Sequence, residues 1–442
     1  MLSGKSGAAF LCLESREKSR SLRAMFRTGA QFMFLVLLAG LALMHGSRQE
    51  PLAAWDNAFA DFLAMHSRRG AQPAPVTLVA IDDSTLSVHS WPWTPMNFAV
   101  FFQAALPLKP EVIAIDQVLD WSRFGLPEEQ QRQLPSSEKM LREQILSATK
   151  VLLGSELGFP EDPSVIPPLQ EVPALRNVKG ITALIPEFTL IERQPVEKFR
   201  LSSTVGFTNL PPVYERHNSV PLVLRYRGQI VPAFVLQAVM LWMKLTPDDV
   251  TVEPGSHVLL GKGLRIPIDA AGRMRVDFGS PRGEFSFGDL ILASQLAEAG
   301  KPPGLPLDRL QGGIVLLSRT DTDARTVPLA ARRSGSPGEL FAAAIATIQN
   351  QSFIRRAPLW AQGVVIAVFM LIAYRVPRWK KWVAVGVGVL SLIVFAMVSM
   401  VVFGKWLVWL PATIPLGAVL VFVFLRVVTP DSAGRPKRPV IF

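Results

Sequence analysis

The sequence predicts an α/β extracytoplasmic domain with a mainly parallel sheet, plus four transmembrane α-helices. Three observations carry that reading. Four long windows contain no Asp, Glu, Lys or Arg, and lysines and arginines crowd the flanks of those windows. Between the first window and the second, short apolar runs alternate with helical stretches.

The windows are Ala30 to Met44, Leu359 to Tyr374, Trp382 to Phe403 and Trp406 to Leu425. A helix needs about 20 residues to cross the hydrocarbon core, so the last two suffice unaided. The first two reach roughly 18 residues when Thr28, Gly29, His45, Ala357 and Pro358 are added, and flanking polar groups that snorkel make up the rest. The chain then divides into a basic cytoplasmic leader (1–29), transmembrane helix one (30–46), an outer domain (47–357), helix two (358–375), helix three (382–403), helix four (406–426) and a cytoplasmic tail (427–442). A cleaved signal peptide is the competing reading of the first window, against which His45-Gly46-Ser47 lacks the small-x-small spacing of a cleavage site. Met25 is an alternative start. Pro411 and Pro415 fall inside helix four, where each removes a backbone donor and marks either a hinge or the entrance of the helix.

Orientation follows the basic residues. Lys5, Arg16, Lys18, Arg20, Arg23 and Arg27 precede helix one, Arg375, Arg378, Lys380 and Lys381 join helices two and three, and Arg426, Arg435, Lys437 and Arg438 follow helix four. These segments belong on the cytoplasmic side, which places the large domain outside a bacterial cytoplasmic (inner) membrane. The net charge of +11 and pI near 10.0 would suggest a nucleic-acid partner, but the basicity sits in the membrane flanks. Residues 30–357 are close to neutral, so no nucleic-acid partner is expected. Mean hydropathy of +0.30 and 18% charged residues agree with a lipid-embedded part. The one cysteine, Cys12, lies in the leader, so the outer domain holds together without disulfides.

Within the outer domain, Val76 to Ile81 reads as a buried strand followed by Asp82-Asp83-Ser84, and Met96 to Leu106 as a helix. Val112 to Ile115 reads as a second strand ending at Asp116, Ser137 to Thr149 as a helix, and Val151 to Leu153 as a third strand ending in Gly154-Ser155. Strand alternating with helix predicts parallel pairing. Phe159 to Leu201 is rich in Pro and weakly periodic, and yields no fold. Strands follow at Leu222 to Tyr226, Met274 to Phe278 and Ile314 to Leu317, and helices at Pro232 to Lys244, Phe287 to Ala299 and Pro337 to Gln349.

These landmarks resemble a known module. The strand ending in Asp82-Asp83, then Trp91-Pro92-Trp93 and a helix, then Val112-Ile113-Ala114-Ile115-Asp116, is similar to the opening of the type-two CHASE (CHASE2) domain, an extracellular sensor. Gly206-Phe207-Thr208-Asn209, Val231-Pro232-Ala233-Phe234, Gly312 to Leu317 and Ser336-Pro337-Gly338 follow in the family's order, as do three closely spaced carboxy-terminal membrane helices. The resemblance implies sensing of an outside signal that is relayed to a cytoplasmic kinase or cyclase. Here Val427 to Phe442 is too short for such a domain, so a stand-alone form without a cytoplasmic effector is expected. Two further departures are Tyr214-Glu215-Arg216-His217-Asn218, where the family often has an Asp-containing turn followed by Arg, and Ala342, where a His usually follows the Pro-Gly pair.

In a parallel sheet ligands gather at the carboxyl ends of the strands, which marks Asp82, Asp83, Asp116, Arg319, Asp321 and Asp323 as ligand-binding candidates, with Trp91 and Trp93 nearby. If Asp82 and Asp116 end neighbouring strands they face one crevice. Carboxylates there suit a divalent cation or an amine, and Arg319 an anion. The alternative is that they cap helices and satisfy loops, with the tryptophans in the core. His45, His66, His89, His217 and His257 show no metal-ligand spacing, and neither a phosphate loop nor a nucleophile elbow is present. The reading is therefore no enzyme, no cofactor and no metal. It is a membrane-anchored sensor or receptor that signals to an unknown cytoplasmic or envelope protein partner, or else a structural or assembly subunit of an envelope complex. The lipid bilayer is its other partner, and a homo-oligomer stays open.

Overall fold

The computed structural model describes residues 52–66, 72–122, 127–162, 170–211, 218–261, 263–329, 333–375, 381–413 and 415–419. The chain divides into two compact units, one of residues 68–355 and the other of residues 1–67 with 356–442. The helix Leu52–His66 falls in the smaller unit, with residues 356–442.

The larger unit begins with β1 (Val76–Ile81), α1 (Asp83–Val88), α2 (Pro95–Ala105), β2 (Val112–Ile115), α3 (Glu128–Ser147) and β3 (Val151–Gly158). Later come β4 (Leu190–Arg193), β5 (Thr204–Phe207), α4 (Phe234–Trp242), β6 (Gly283–Ser286), α5 (Phe287–Glu298), β7 (Ile314–Arg319) and α6 (Pro337–Gln349). The central sheet has the order β6-β1-β7-β2-β3-β4, and β5 also pairs with β3. Every pairing is parallel except β3 with β4, so the predicted mainly parallel sheet is present.

One expectation about that sheet is corrected. β1 and β2 are not neighbours, because β7 runs between them in register with both: Leu317 pairs with Val79 on one side and Ile115 on the other. Crossover connections let strands distant in sequence intercalate, and sequence order alone does not reveal it. Asp82 and Asp116 are therefore separated by the strand that ends in Ser318 and Arg319.

Both faces of the sheet are covered, which explains why β2 and the first four residues of β7 read as unbroken apolar runs. On one face Leu78, Ala114, Leu152 and Leu316 pack with Val235 and Val239 of α4 and Leu340 and Ile345 of α6. On the other, Val79, Ile113, Leu153 and Leu317 pack with Phe98 and Phe102 of α2, Leu141 and Ile145 of α3, and Leu290 of α5. Each Val, Leu, Ile or Phe among them contributes about 1.5–3 kcal/mol on burial. Local signals set the helix starts. Thr94 precedes Pro95, and the Thr94 N–H donates to Asn97 Oδ1 at 3.0 Å. Ser336 Oγ accepts from the Glu339 N–H at 3.1 Å ahead of α6, with Pro337 as its first residue.

The segment without a sequence reading contributes β4, the short strands Asn177–Val178 and Glu187–Phe188, and the helix Glu197–Arg200. A meander of Val250–Glu253, His257–Leu260 and Leu264–Pro267 has no counterpart in the sequence reading either, each strand being too short for periodicity to show. The strand expected at Met274 to Phe278 shrinks to Arg273–Arg275. Asp277 ends it by turning the chain, its carbonyl and carboxylate accepting from the N–H groups of Ser280 and Gly279, each at 3.1 Å.

In the smaller unit, transmembrane helix one lies outside the described residues. Among the described residues one helix is long and apolar enough to cross a membrane, Val385–Trp406 within Lys381–Trp406. Leu359–Arg375 is a helix of 17 residues. Helix four, described to residue 419, starts later than expected. After Trp406 the chain leaves the helix at Leu407, whose φ is 56°, pairs as the strand Val408–Trp409 and re-enters a helix at Thr413. Pro411 thus precedes the helix and Pro415 sits in its first turn, where a missing N–H has no intrahelical partner to lose. That geometry removes the hinge reading. The helix Leu52–His66 buries Asp56 at 2% exposure, and its carboxylate accepts from the Thr413 N–H at 3.0 Å and the Thr413 hydroxyl at 3.2 Å. Trp55 and Phe62 stay exposed on the same helix.

Candidate functional site

At the carboxyl ends of β2, β3, β5 and β7 lies a cavity of about 160 Å³. Asp116, the residue after β2, forms its floor with Gln117 and Val118. β7 supplies Ser318 and Arg319, β3 supplies Glu156, and Thr208 follows β5. Arg193 enters from the antiparallel strand β4, Ala324 and Arg325 from the loop after β7, and Pro337 and Phe341 from the first turns of α6.

Asp116 is 8% exposed and held by neutral donors, two side chains and its own backbone N–H. The Ser318 hydroxyl donates to its Oδ2 at 2.6 Å and Gln117 Nε2 to its Oδ1 at 3.0 Å. Burial pushes its pKa up from 3.8 to about 6, against those hydrogen bonds, which favour the ionised form. Two glycines make this arrangement possible. A Cβ on Gly154 would lie 2.4 Å from the Asp116 carbonyl oxygen, so β3 approaches the end of β2 only without a side chain. A Cβ on Gly338 would lie 2.1 Å from Ser318 Oγ and 2.2 Å from Ser318 Cβ, so α6 can start over β7 only at glycine.

The other charges on the wall are mostly tied. Arg319 donates to Asp321 in a fork, Nε to Oδ1 at 2.8 Å and Nη2 to Oδ2 at 2.6 Å, and its guanidinium lies 4.3 Å from the ring centre of Trp91. Arg193 pairs with Glu156 at 3.3 Å. Arg325 is exposed and has no hydrogen bond or ion pair among the described residues.

Of the eight residues singled out in sequence, Asp116 and Arg319 line the cavity. Asp82 caps α1, accepting from the Thr85 N–H at 2.9 Å, the Thr85 hydroxyl at 2.6 Å, Ser84 at 2.9 Å and Ser286 at 3.1 Å. Burial raises its pKa, but the donors from Thr85, Ser84 and Ser286 together outweigh that and hold it below the ordinary value. Asp83 pins the loop after β7 by accepting from the Thr322 N–H and hydroxyl, each at 3.0 Å. Trp91 carries Arg319 on its face, Asp321 is the buried partner of Arg319, and Asp323 is exposed outside the cavity wall. Trp93 is 1% exposed, donates to the His89 carbonyl at 3.0 Å and packs edge-on to Phe98. No group of three or more His, Cys, Asp or Glu among the described residues is placed to hold a metal ion.

The family model of the CHASE2 domain matches residues 34–374, which take in the whole central sheet and every residue of the cavity wall. The chain belongs to the CHASE2 domain family. No curated protein and no solved structure matches it. CHASE2 is an extracellular sensor domain family. Of the two departures from the family pattern, residues 214–217 lie outside the described residues. The other, Ala342, is fully buried in α6, within the core of this CHASE2 sheet.

Glu156, Arg193, Thr208 and Arg325 were not foreseen as site residues. Thr208 stood in the Gly206 to Asn209 motif without a role. Glu156 follows the Gly154-Ser155 pair on a strand that runs on to Gly158, beyond the three apolar residues that announce it. Nothing in the sequence around Arg193 or Arg325 signals a sheet edge.

Proposed function

We propose that the protein is a receptor of the outer face of the bacterial cytoplasmic membrane. It binds a small molecule in the cavity at the carboxyl ends of the strands and relays binding through its membrane helices to a separate protein partner. The observation that carries this reading is the cavity itself, with a desolvated carboxylate on its floor at the place where open α/β sheets take ligands. Folding leaves Asp116 poorly compensated, an arrangement more typical of a site than of a scaffold.

The envelope-assembly reading has one observation in its favour. Phe159, Ile181, Leu184 and Leu201, all from one segment of the outer unit, are large apolar side chains left exposed, which suits a protein surface.

Filling the cavity separates the two. Ala324→Trp adds bulk at the cavity wall without changing its charge. Full-length protein extracted from its native membrane, washed and denatured, is expected to release a bound small molecule that mass spectrometry detects. The Ala324→Trp protein, shown to be folded by circular dichroism, is expected to release less than a tenth as much. Equal release from both, or none from the wild type, contradicts the receptor reading.

A further inference from the structure

We propose that the cavity takes a zwitterion of α-amino-acid size, its ammonium group on Asp116 and its carboxylate on Arg325. The proposal rests on the receptor reading above and deepens it.

Folding has already paired most of the charges around the cavity. The Arg319 guanidinium is occupied by the Asp321 fork and the face of Trp91. Arg193 and Glu156 hold each other. What remains is a carboxylate whose partners are a hydroxyl, an amide and its own backbone N–H, and an exposed arginine on the wall without a partner among the described residues. A carboxylate offers about four lone-pair sites, so Asp116 still has acceptor capacity for an N–H donor. Arg325 presents a fork that matches a carboxylate.

Simpler ligands fit this pattern less well. A lone anion would meet the Asp116 carboxylate at the floor, with two of the three arginines already neutralised. Calcium wants six to eight oxygen ligands, roughly, and the wall holds one uncommitted carboxylate beside three arginines. A nucleotide or oligosaccharide is too large for a cavity of about 160 Å³, since a cavity of about 150 Å³ is one that takes benzene. An amino acid of five to ten heavy atoms or so is the right size, and Val118, Pro337 and Phe341 offer an apolar wall to its side chain.

The test uses the full-length chain in detergent at neutral pH. Its melting temperature is followed with glycine, alanine, valine and leucine, and separately with ethylamine, acetate, inorganic phosphate, Mg²⁺ and Ca²⁺. The expected result is a saturable rise with at least one amino acid and no rise with ethylamine or acetate. Asp116→Asn and Arg325→Ala are each expected to weaken that amino acid at least tenfold. A rise with phosphate or a divalent ion that Arg325→Ala or Asp116→Asn removes would overturn the zwitterion and keep the receptor. An amino-acid response unchanged in both variants would overturn the assignment to this cavity. No response to any probe, together with no molecule released from the native protein, would overturn both readings.

Discussion

Asp116→Asn is expected to make the protein more stable above pH 6, by about 3 kcal/mol. The wild-type carboxyl is raised by burial from 3.8 to about 6. Between those pH values the folded protein holds a proton that the unfolded chain has released, so stability falls as pH rises through that window. The loss is complete above about 6, and at about 1.4 kcal/mol for each pH unit of the window it amounts to about 3 kcal/mol. Asn keeps the shape, accepts from Ser318 with its oxygen and cannot ionise, and Gln117 must turn its amide so that its oxygen accepts from the Asn NH2. The variant and the wild type should therefore unfold alike near pH 4 and diverge by pH 8, as denaturant titrations at the two pH values would show. A variant less stable at pH 8, or a difference that does not change with pH, contradicts the burial argument. A residue whose removal stabilises the fold is one that the fold does not need for itself.

Gly338→Ala is expected to act in the opposite direction. Ala is ordinarily the better helix former by about 1 kcal/mol. Here its Cβ would fall 2.1 Å from Ser318 Oγ and 2.2 Å from Ser318 Cβ, on a side chain that is itself fully buried in the sheet. Strand β7 cannot retreat, because it is hydrogen-bonded to β1 and β2 on both sides. The start of α6 must move instead, carrying Pro337 and Phe341 off the cavity wall. Overpacking of this kind costs about 1–3 kcal/mol, more than helix propensity returns. Thermal unfolding should show a lower midpoint, and the ligand response should weaken with it. A midpoint equal to or above that of the wild type would mean that α6 starts farther from Ser318.

The sheet was legible in the sequence because its strands are buried on both faces. Val112 to Ile115 and Ile314 to Leu317 are apolar throughout, and Val76 to Ile81 is apolar but for Thr77, a pattern typical of strands covered on both faces. The helices that cover it, such as Pro337 to Gln349, were legible from a cap, a proline and an apolar run. The order of strands was not, since any parallel strand can lie beside any other once a crossover separates them. That is why Asp82 and Asp116 looked like partners, although β7 stands between them and Asp82 is consumed in capping α1. Asp116 itself was found by rule, as the residue following a buried strand. Its neighbours Glu156, Arg193 and Arg325 come from a strand's far end, an antiparallel edge strand and a loop, where charged residues are ordinary and periodicity carries no information.

A receptor of this kind stands or falls on where its ligand sits. Hydrogen–deuterium exchange of the full-length protein, with and without the compound that gives the largest thermal shift, locates it directly. Slower exchange is expected in the peptides that contain 116–119, 154–158, 318–325 and 338–342. Protection confined to the Val250–Pro267 meander or to the helix Lys381–Trp406, with those four segments unchanged, would contradict binding at the carboxyl ends of the strands.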